Sequence, residues 1–207
     1  MTFNKYDIIT KLLLITIFSL ILIDGIDLLL NVNEIFYLNK ILNEELISDA
    51  EHQFFETKNL IEYWLSTFTS IFFTLILSIW CYRKYKEIYK TNKEQAPYKP
   101  MLAGFSFVIP IFQFFGPYKI MKFIWWGNKE LDSEITTGNG LIKKWWTTYI
   151  VIFLIARYTQ SDINNTEYAD EYLNITYAYI FYSLISIISS IFLYKIITKI
   201  NTTANNL

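Results

Sequence analysis

Three stretches of this chain each run for about twenty residues with very little charge, at residues 12–30, 61–82 and 173–194. At about 1.5 Å of rise per residue, each is long enough as a helix to cross a hydrocarbon core of about 30 Å. In lipid every backbone amide and carbonyl must be bonded within its own helix or within a closed barrel. The runs are too continuous for barrel strands of about ten alternating residues, so helices are predicted throughout. Trp64 and Trp80 stand near the ends of the second run, and tyrosines flank the third, as in an interfacial aromatic belt. A shorter run at 145–160 opens on Trp145 and Trp146, behind Lys143 and Lys144, and reads as a further span. The chain is 53% hydrophobic and 19% aromatic, above the roughly 45–50% apolar share of soluble domains, and the excess is concentrated in these blocks. The expectation is one transmembrane domain over residues 1–207. Lys5 and Lys11 precede the first run as in a signal peptide, but the run exceeds the ~7–15 residues of a signal core, so it reads as an uncleaved first helix.

Charge sets the orientation. The connection at residues 31–60 carries Glu34, Glu44, Glu45, Asp49, Glu51 and Glu56 against Lys40 and Lys58, and the connection near 161–172 carries acids alone. Lysine and arginine crowd the stretches after residue 82, before the run at 145–160 and after residue 194. The positive-inside rule then predicts four spans, with both termini cytoplasmic and the acidic connections outside.

Residues 101–118, MLAGFSFVIPIFQFFGPY, are apolar but broken by Pro110 and by Gly116-Pro117. Proline inside a helix costs about 3 kcal/mol, and basic flanks on both sides oppose a full crossing. The segment reads as re-entrant or interfacial. Residues 118–130 mix Ile120, Met121, Phe123, Ile124 and Trp125 with Lys119, Lys122 and Lys129, which predicts a short helix in the headgroup region. Together 101–130 form a Pro-broken re-entrant or interfacial segment between the second and third spans. The Gly138-Asn139-Gly140 run predicts a turn before the third span.

Two spans, a basic stretch, a proline-punctuated block and two more spans resemble a bacterial membrane family catalogued as domain of unknown function 4328. The resembling core is Pro100, Val108-Ile109-Pro110-Ile111, Gly116-Pro117-Tyr118, Met121 and Trp125 or Trp126, within about 61–195. Gln113 stands where the family tends to carry asparagine. The resemblance implies a four-helix protein of the bacterial inner membrane, with the first run as the family's leading helix, and implies no activity.

Asp24 and Asp27 lie three apart, hence on one helical face, within an apolar run that usually excludes carboxylates. Arg157 lies at a similar distance along a helix running the same way, so a pairing of Asp24 or Asp27 with Arg157 is expected, as a structural tie or as part of a polar path. Lys119, Lys122, Trp125 and Trp126, behind Pro110 and Pro117, form a possible surface for membrane lipid or a membrane protein partner. His52 reads as a solvated loop residue, Glu62 as an interfacial carboxylate and Cys81 as an interfacial thiol. Asn164-Asn165-Thr166 and Asn174-Ile175-Thr176 match the glycosylation pattern, which carries no meaning in a bacterial protein.

One histidine and one cysteine predict neither a disulfide nor a Cys/His metal site. No metal, cofactor or catalytic motif is expected, and a net charge of -1 without a basic stripe argues against nucleic acid. The expected function is a non-enzymatic membrane module binding a partner protein or lipid. The alternative is a small transporter or channel-like protein using Asp24, Asp27 and Arg157. A lipid-directed membrane enzyme, the third possibility, has no motif behind it.

Overall fold

The computed structural model describes residues 7–127, 135–163 and 169–203. They form six α-helices: α1 (Ile8–Leu42), α2 (Asp49–Tyr89), α3 (Pro100–Phe105), α4 (Gly116–Trp126), α5 (Ile135–Ile163) and α6 (Ala169–Thr203). Short 3-10 turns lie at Lys93–Gln95 and Phe112–Phe114. No strand occurs among the described residues, so the all-helical expectation holds. Three helices are long and apolar enough to cross a membrane: α1, α2 and the Asp170–Asn201 stretch of α6. The buried share of their apolar windows is 22%, 22% and 33%, so most residues of these windows are exposed or half-buried. The expected third span at 145–160 lies in α5, whose apolar run is short and bracketed by Lys144 and Arg157.

The helices are longer than hydropathy suggests, and their ends are chemically specified. Asp7 caps α1 by accepting the Thr10 amide at 2.7 Å, an N-cap geometry that aspartate favours. α1 closes in a Schellman motif: Glu44 sits at φ 55, its amide donates to the Ile41 carbonyl, and the Glu45 amide donates to the Lys40 carbonyl. Ser48 then caps α2, accepting the Glu51 amide at 3.2 Å. Ser48 and Glu51 have capping-box spacing. Only residues 43–48 connect the two helices, so most of the acidic connection read at 31–60 is helix. The Gly-Asn-Gly run at 138–140, expected as a turn, lies within α5. A glycine costs about 1 kcal/mol in a helix, which a 29-residue helix absorbs.

α1 shows how the helices are faced. Thr10, Leu13, Ile17, Asp24, Asn31, Glu34 and Leu38 are buried, and Leu20 and Asp27 half-buried. Their spacing alternates three and four, a single stripe of about 3.5-residue period. The stripe is mainly apolar before residue 24 and polar from 24 to 34.

The chain divides into two compact units. Unit 1 comprises Met1–Phe18, Ile71–Thr147 and Ser189–Leu207; unit 2 comprises Ser19–Ser70 and Thr148–Ile188. Unit 1 carries 15 of the 18 basic and 6 of the 19 acidic residues, a net +9; unit 2 carries the other 3 and 13, a net -10.

The core of unit 1 is aromatic, with Trp80, Trp125, Trp145 and Tyr85 all fully enclosed. The Trp80 indole donates to the Thr10 hydroxyl at 3.1 Å, and that hydroxyl meets Asn201 at 3.4 Å. The Tyr85 hydroxyl donates to the Tyr98 carbonyl at 2.7 Å and accepts the Tyr98 amide at 3.0 Å, pinning the segment that leads into Pro100. Pro100 and Pro117 stand in the first turns of α3 and α4, where a missing amide costs nothing. Pro110 ends the first half of the apolar block. Its carbonyl accepts the Phe112 amide at 2.7 Å, closing a γ-turn on Ile111 at φ 65, ψ -51. That conformation is rare and strained for a β-branched residue.

In unit 2, Tyr37 stacks on Phe55 at 4.3 Å. With Leu38 they form a small core against Ile47, Tyr172 and Leu173.

Candidate functional site

Two regions concentrate polar chemistry, one in each unit. In unit 2, α1 offers Asp24, Asp27, Asn31 and Glu34 along its buried stripe, and α2 offers Lys58, Asn59 and Glu62. The Lys58 ammonium donates to Glu34 Oε2 at 2.6 Å, to Asn31 Oδ1 at 3.1 Å and contacts Glu62 Oε2 at 3.1 Å. Asn59 donates to Glu34 Oε1 at 3.2 Å. The Lys58 and Glu34 side chains are 3% and 6% exposed, and that of Glu62 20%. The second oxygen of Glu62, Oε1, is buried with no hydrogen-bond partner among the described residues. Lys58 also attracts Asp27 electrostatically. Further along α1, Asp24 is buried and accepts the Ser186 hydroxyl of α6 at 2.7 Å.

This network therefore sets four carboxylates against one ammonium. Isolated charges are expensive in such surroundings, and pairing plus hydrogen bonding is what makes them tolerable. Of the residues singled out in the sequence, the network contains Asp24, Asp27 and Glu62, the last of them paired with Lys58. Arg157 is exposed, with its guanidinium 5.3 Å from the centre of the Phe153 ring, and among the described residues no ion pair joins it to either aspartate. Glu34, Asn31 and Lys58 were read as loop residues. For Asn31 and Glu34 the signal was present in the three-four-three spacing of 24, 27, 31 and 34. His52 is helical and meets the Tyr37 hydroxyl at 2.6 Å through Nδ1 and Glu56 at 3.4 Å through Nε2. Cys81 is fully buried.

In unit 1, α4 buries Ile120, Met121, Phe123, Ile124 and Trp125. Trp125, expected on a surface, is thus a core residue, and its indole nitrogen has no hydrogen-bond partner among the described residues. Lys119 and Lys122 project with Trp126. Lys122 Nζ lies 4.2 Å from the Trp126 ring centre and 5.5 Å from that of Tyr118. Lys119 Nζ lies 5.8 Å from Phe115 and 5.9 Å from Tyr98. These are cation–π distances. Neither lysine has a carboxylate within ion-pair distance among the described residues. Beside them Met101, Phe105, Val108, Ile111, Phe114 and Phe115 expose apolar surface, Ile111 at 75%. Pro110 and Pro117 shape this region from the backbone, and Pro117 itself is buried.

A family model described as Domain of unknown function (DUF4328) matches residues 43–202. The chain belongs to this family. The family match extends beyond the expected 61–195 at both ends. It begins after α1, so the proposed leading helix lies outside it, and with it Asp24, Asp27, Asn31 and Glu34. No curated protein and no solved structure matches the chain.

Proposed function

We infer that this DUF4328 chain is a non-enzymatic, multi-pass module of a bacterial inner membrane, with four spans in α1, α2, α5 and α6. The Lys- and Arg-rich ends of these helices lie on the cytoplasmic side, as the charge distribution favours. The segment from α3 to α4 enters the membrane interface from that side and provides the surface that meets lipid or a membrane protein. One observation carries this reading: a set of exposed apolar side chains from Met101 to Phe115, with the strained Ile111 among them, lies beside lysines set against aromatic rings. An exposed apolar patch of this kind marks an interaction surface, and irregular backbone near lipid needs protein cover on its other face. The burial of Ala103, Ser106 and Phe107 supplies that cover.

Single cysteines introduced into the full chain test the reading in membrane vesicles. Asn43→Cys should react with an impermeant maleimide from the side opposite Lys93→Cys. A fluorophore at Ile111→Cys should be quenched by lipids brominated on their acyl chains. Labelling of Asn43 and Lys93 from one side would overturn the topology, and an unquenched, water-accessible Ile111 would overturn the interfacial segment.

A second reading, a small transporter or channel, is favoured by the excess of carboxylates over ammonium in unit 2. Intramembrane ionisable groups commonly mark ion or proton paths. Proteoliposomes loaded with a pH-sensitive dye decide it. Proton flux that is lost in Asp24→Asn and Glu62→Gln, with thermal stability retained, supports transport. Flux equal to that of empty liposomes removes it.

A further inference from the structure

The α4 lysines have a geometry that selects one kind of occupant. Both ammonium groups are flanked by ring faces, Lys119 between Phe115 and Tyr98 and Lys122 between Trp126 and Tyr118. Rings place a cation without neutralising it, so each lysine keeps hydrogen-bond donors for an anion. The two are three residues apart on one helix, within one turn. Next to them stands apolar surface from Phe115, Phe114 and Ile111, exposed at 42%, 39% and 75%. Anionic heads above and apolar chains below are the two parts of a phospholipid. A phosphorylated protein segment would satisfy the lysines but would leave the apolar row in water. The net +9 of unit 1 adds a long-range field of the matching sign.

We propose that Lys119 and Lys122, walled by Tyr98, Phe115, Tyr118 and Trp126, form a binding site for the headgroup phosphate of an anionic phospholipid. The acyl chains of that lipid run along the exposed apolar row of residues 108–115. This rests on the interfacial reading of that segment and goes further, because it names the lipid class and the residues that choose it.

The test uses the full chain in detergent micelles doped with phosphatidylglycerol or phosphatidylcholine, with bound lipid counted by native mass spectrometry. The wild-type chain should retain phosphatidylglycerol preferentially. Each lysine near an anionic surface contributes about 1 kcal/mol, so Lys119→Gln or Lys122→Gln should lower the preference about fivefold and the double variant roughly thirtyfold. Lys93→Gln, outside the ring-walled pair, should leave it nearly unchanged. Trp126→Ala should weaken retention while both charges remain, a loss that diffuse attraction does not produce. An unchanged preference in the double variant overturns the site. So does an equal loss in Lys93→Gln, which would mean a general field only. A stoichiometric protein that departs with Lys119 and Lys122, with no lipid preference, overturns it in favour of protein docking. If Ile111 is quenched by brominated lipid while headgroup preference is absent, the membrane-module reading stands and the headgroup site falls. If Ile111 remains in water, both fall.

Discussion

Replacing Lys58 with methionine removes the only ammonium of the unit 2 network, among the described residues, while keeping most of its volume. In the wild-type chain that ammonium holds Glu34 at 2.6 Å, Glu62 at 3.1 Å and Asn31 at 3.1 Å, with side-chain exposures of 3% for Lys58 and 6% for Glu34. Two considerations oppose each other. An intact buried ion pair contributes little net stability, because desolvation offsets most of the attraction. A broken one is costly, because the orphaned carboxylate remains buried, and such losses run at about 3–5 kcal/mol. The second effect governs Lys58→Met. For a chain of this size each kcal/mol moves the midpoint by roughly 2–4 °C, so a fall of about 6–20 °C is expected. Thermal unfolding of purified protein, followed by fluorescence or circular dichroism, reads it directly. The cycle with Glu34→Gln sharpens the test. Glu34→Gln in the Lys58→Met background should recover part of the loss, since it removes the stranded charge. Midpoints within 2 °C of wild type for Lys58→Met would refute the claim that this ammonium is needed where it lies. Equal losses from both single changes that simply add in the double would refute the coupling.

Other consequences are as direct. A methyl group on Gly127 would collide with Ile88 Cγ2, whereas one on Gly25 meets nothing within 4 Å among the described residues. Gly127→Ala should therefore lower the melting midpoint, and Gly25→Ala should hold or raise it, since alanine adds up to about 1 kcal/mol of helix propensity. Tyr85→Phe deletes both hydrogen bonds to Tyr98 and should speed tryptic cleavage after Lys93, at a cost of about 1–3 kcal/mol. Burial opposes the Asp7 charge, but the Thr10 amide and hydroxyl, with Lys84 and Arg83, outweigh it and hold the carboxyl below its ordinary 3.8. The folded value is the lower one, so this contribution is complete above about pH 4 and is lost as pH falls through the folded value. Asp7→Asn should keep the cap at neutral pH and flatten that acid limb in a pH series of unfolding curves.

Much of the architecture was legible because lipid-length apolar runs and proline leave few choices. The breaks at Pro110 and at Gly116-Pro117 were visible for that reason. The γ-turn on Ile111 was not, since nothing in the sequence marks a β-branched residue for positive φ. The limits of α1 were misjudged because Asn31 and Glu34 ended the hydropathic run, and hydropathy does not distinguish a polar loop from a helix with a polar buried stripe. Periodicity does, and it continues unbroken from Asp24 to Leu38. Lys58 was hidden for the same reason from the other side. Trp125 and Trp126 show a finer limit: neighbours in sequence lie about 100° apart on a helix, so one fills the core and the other the surface. Arg157 shows another. Distance along a helix gives depth but not direction, and Asp24 meets Ser186 while Arg157 lies over Phe153.

The opposed charges of the two units also bear on how such a chain is made. With the topology inferred above, the carboxylate-rich connections are carried outward during insertion and the lysine-rich ones are held back. A cell interior held negative assists both movements, with about 2.3 kcal/mol of work per elementary charge for each 100 mV. The energised membrane would then act as an assembly factor for this protein. Dissipating the potential during synthesis would slow the arrival of the connection between α1 and α2 at the far side, before any step of folding has begun.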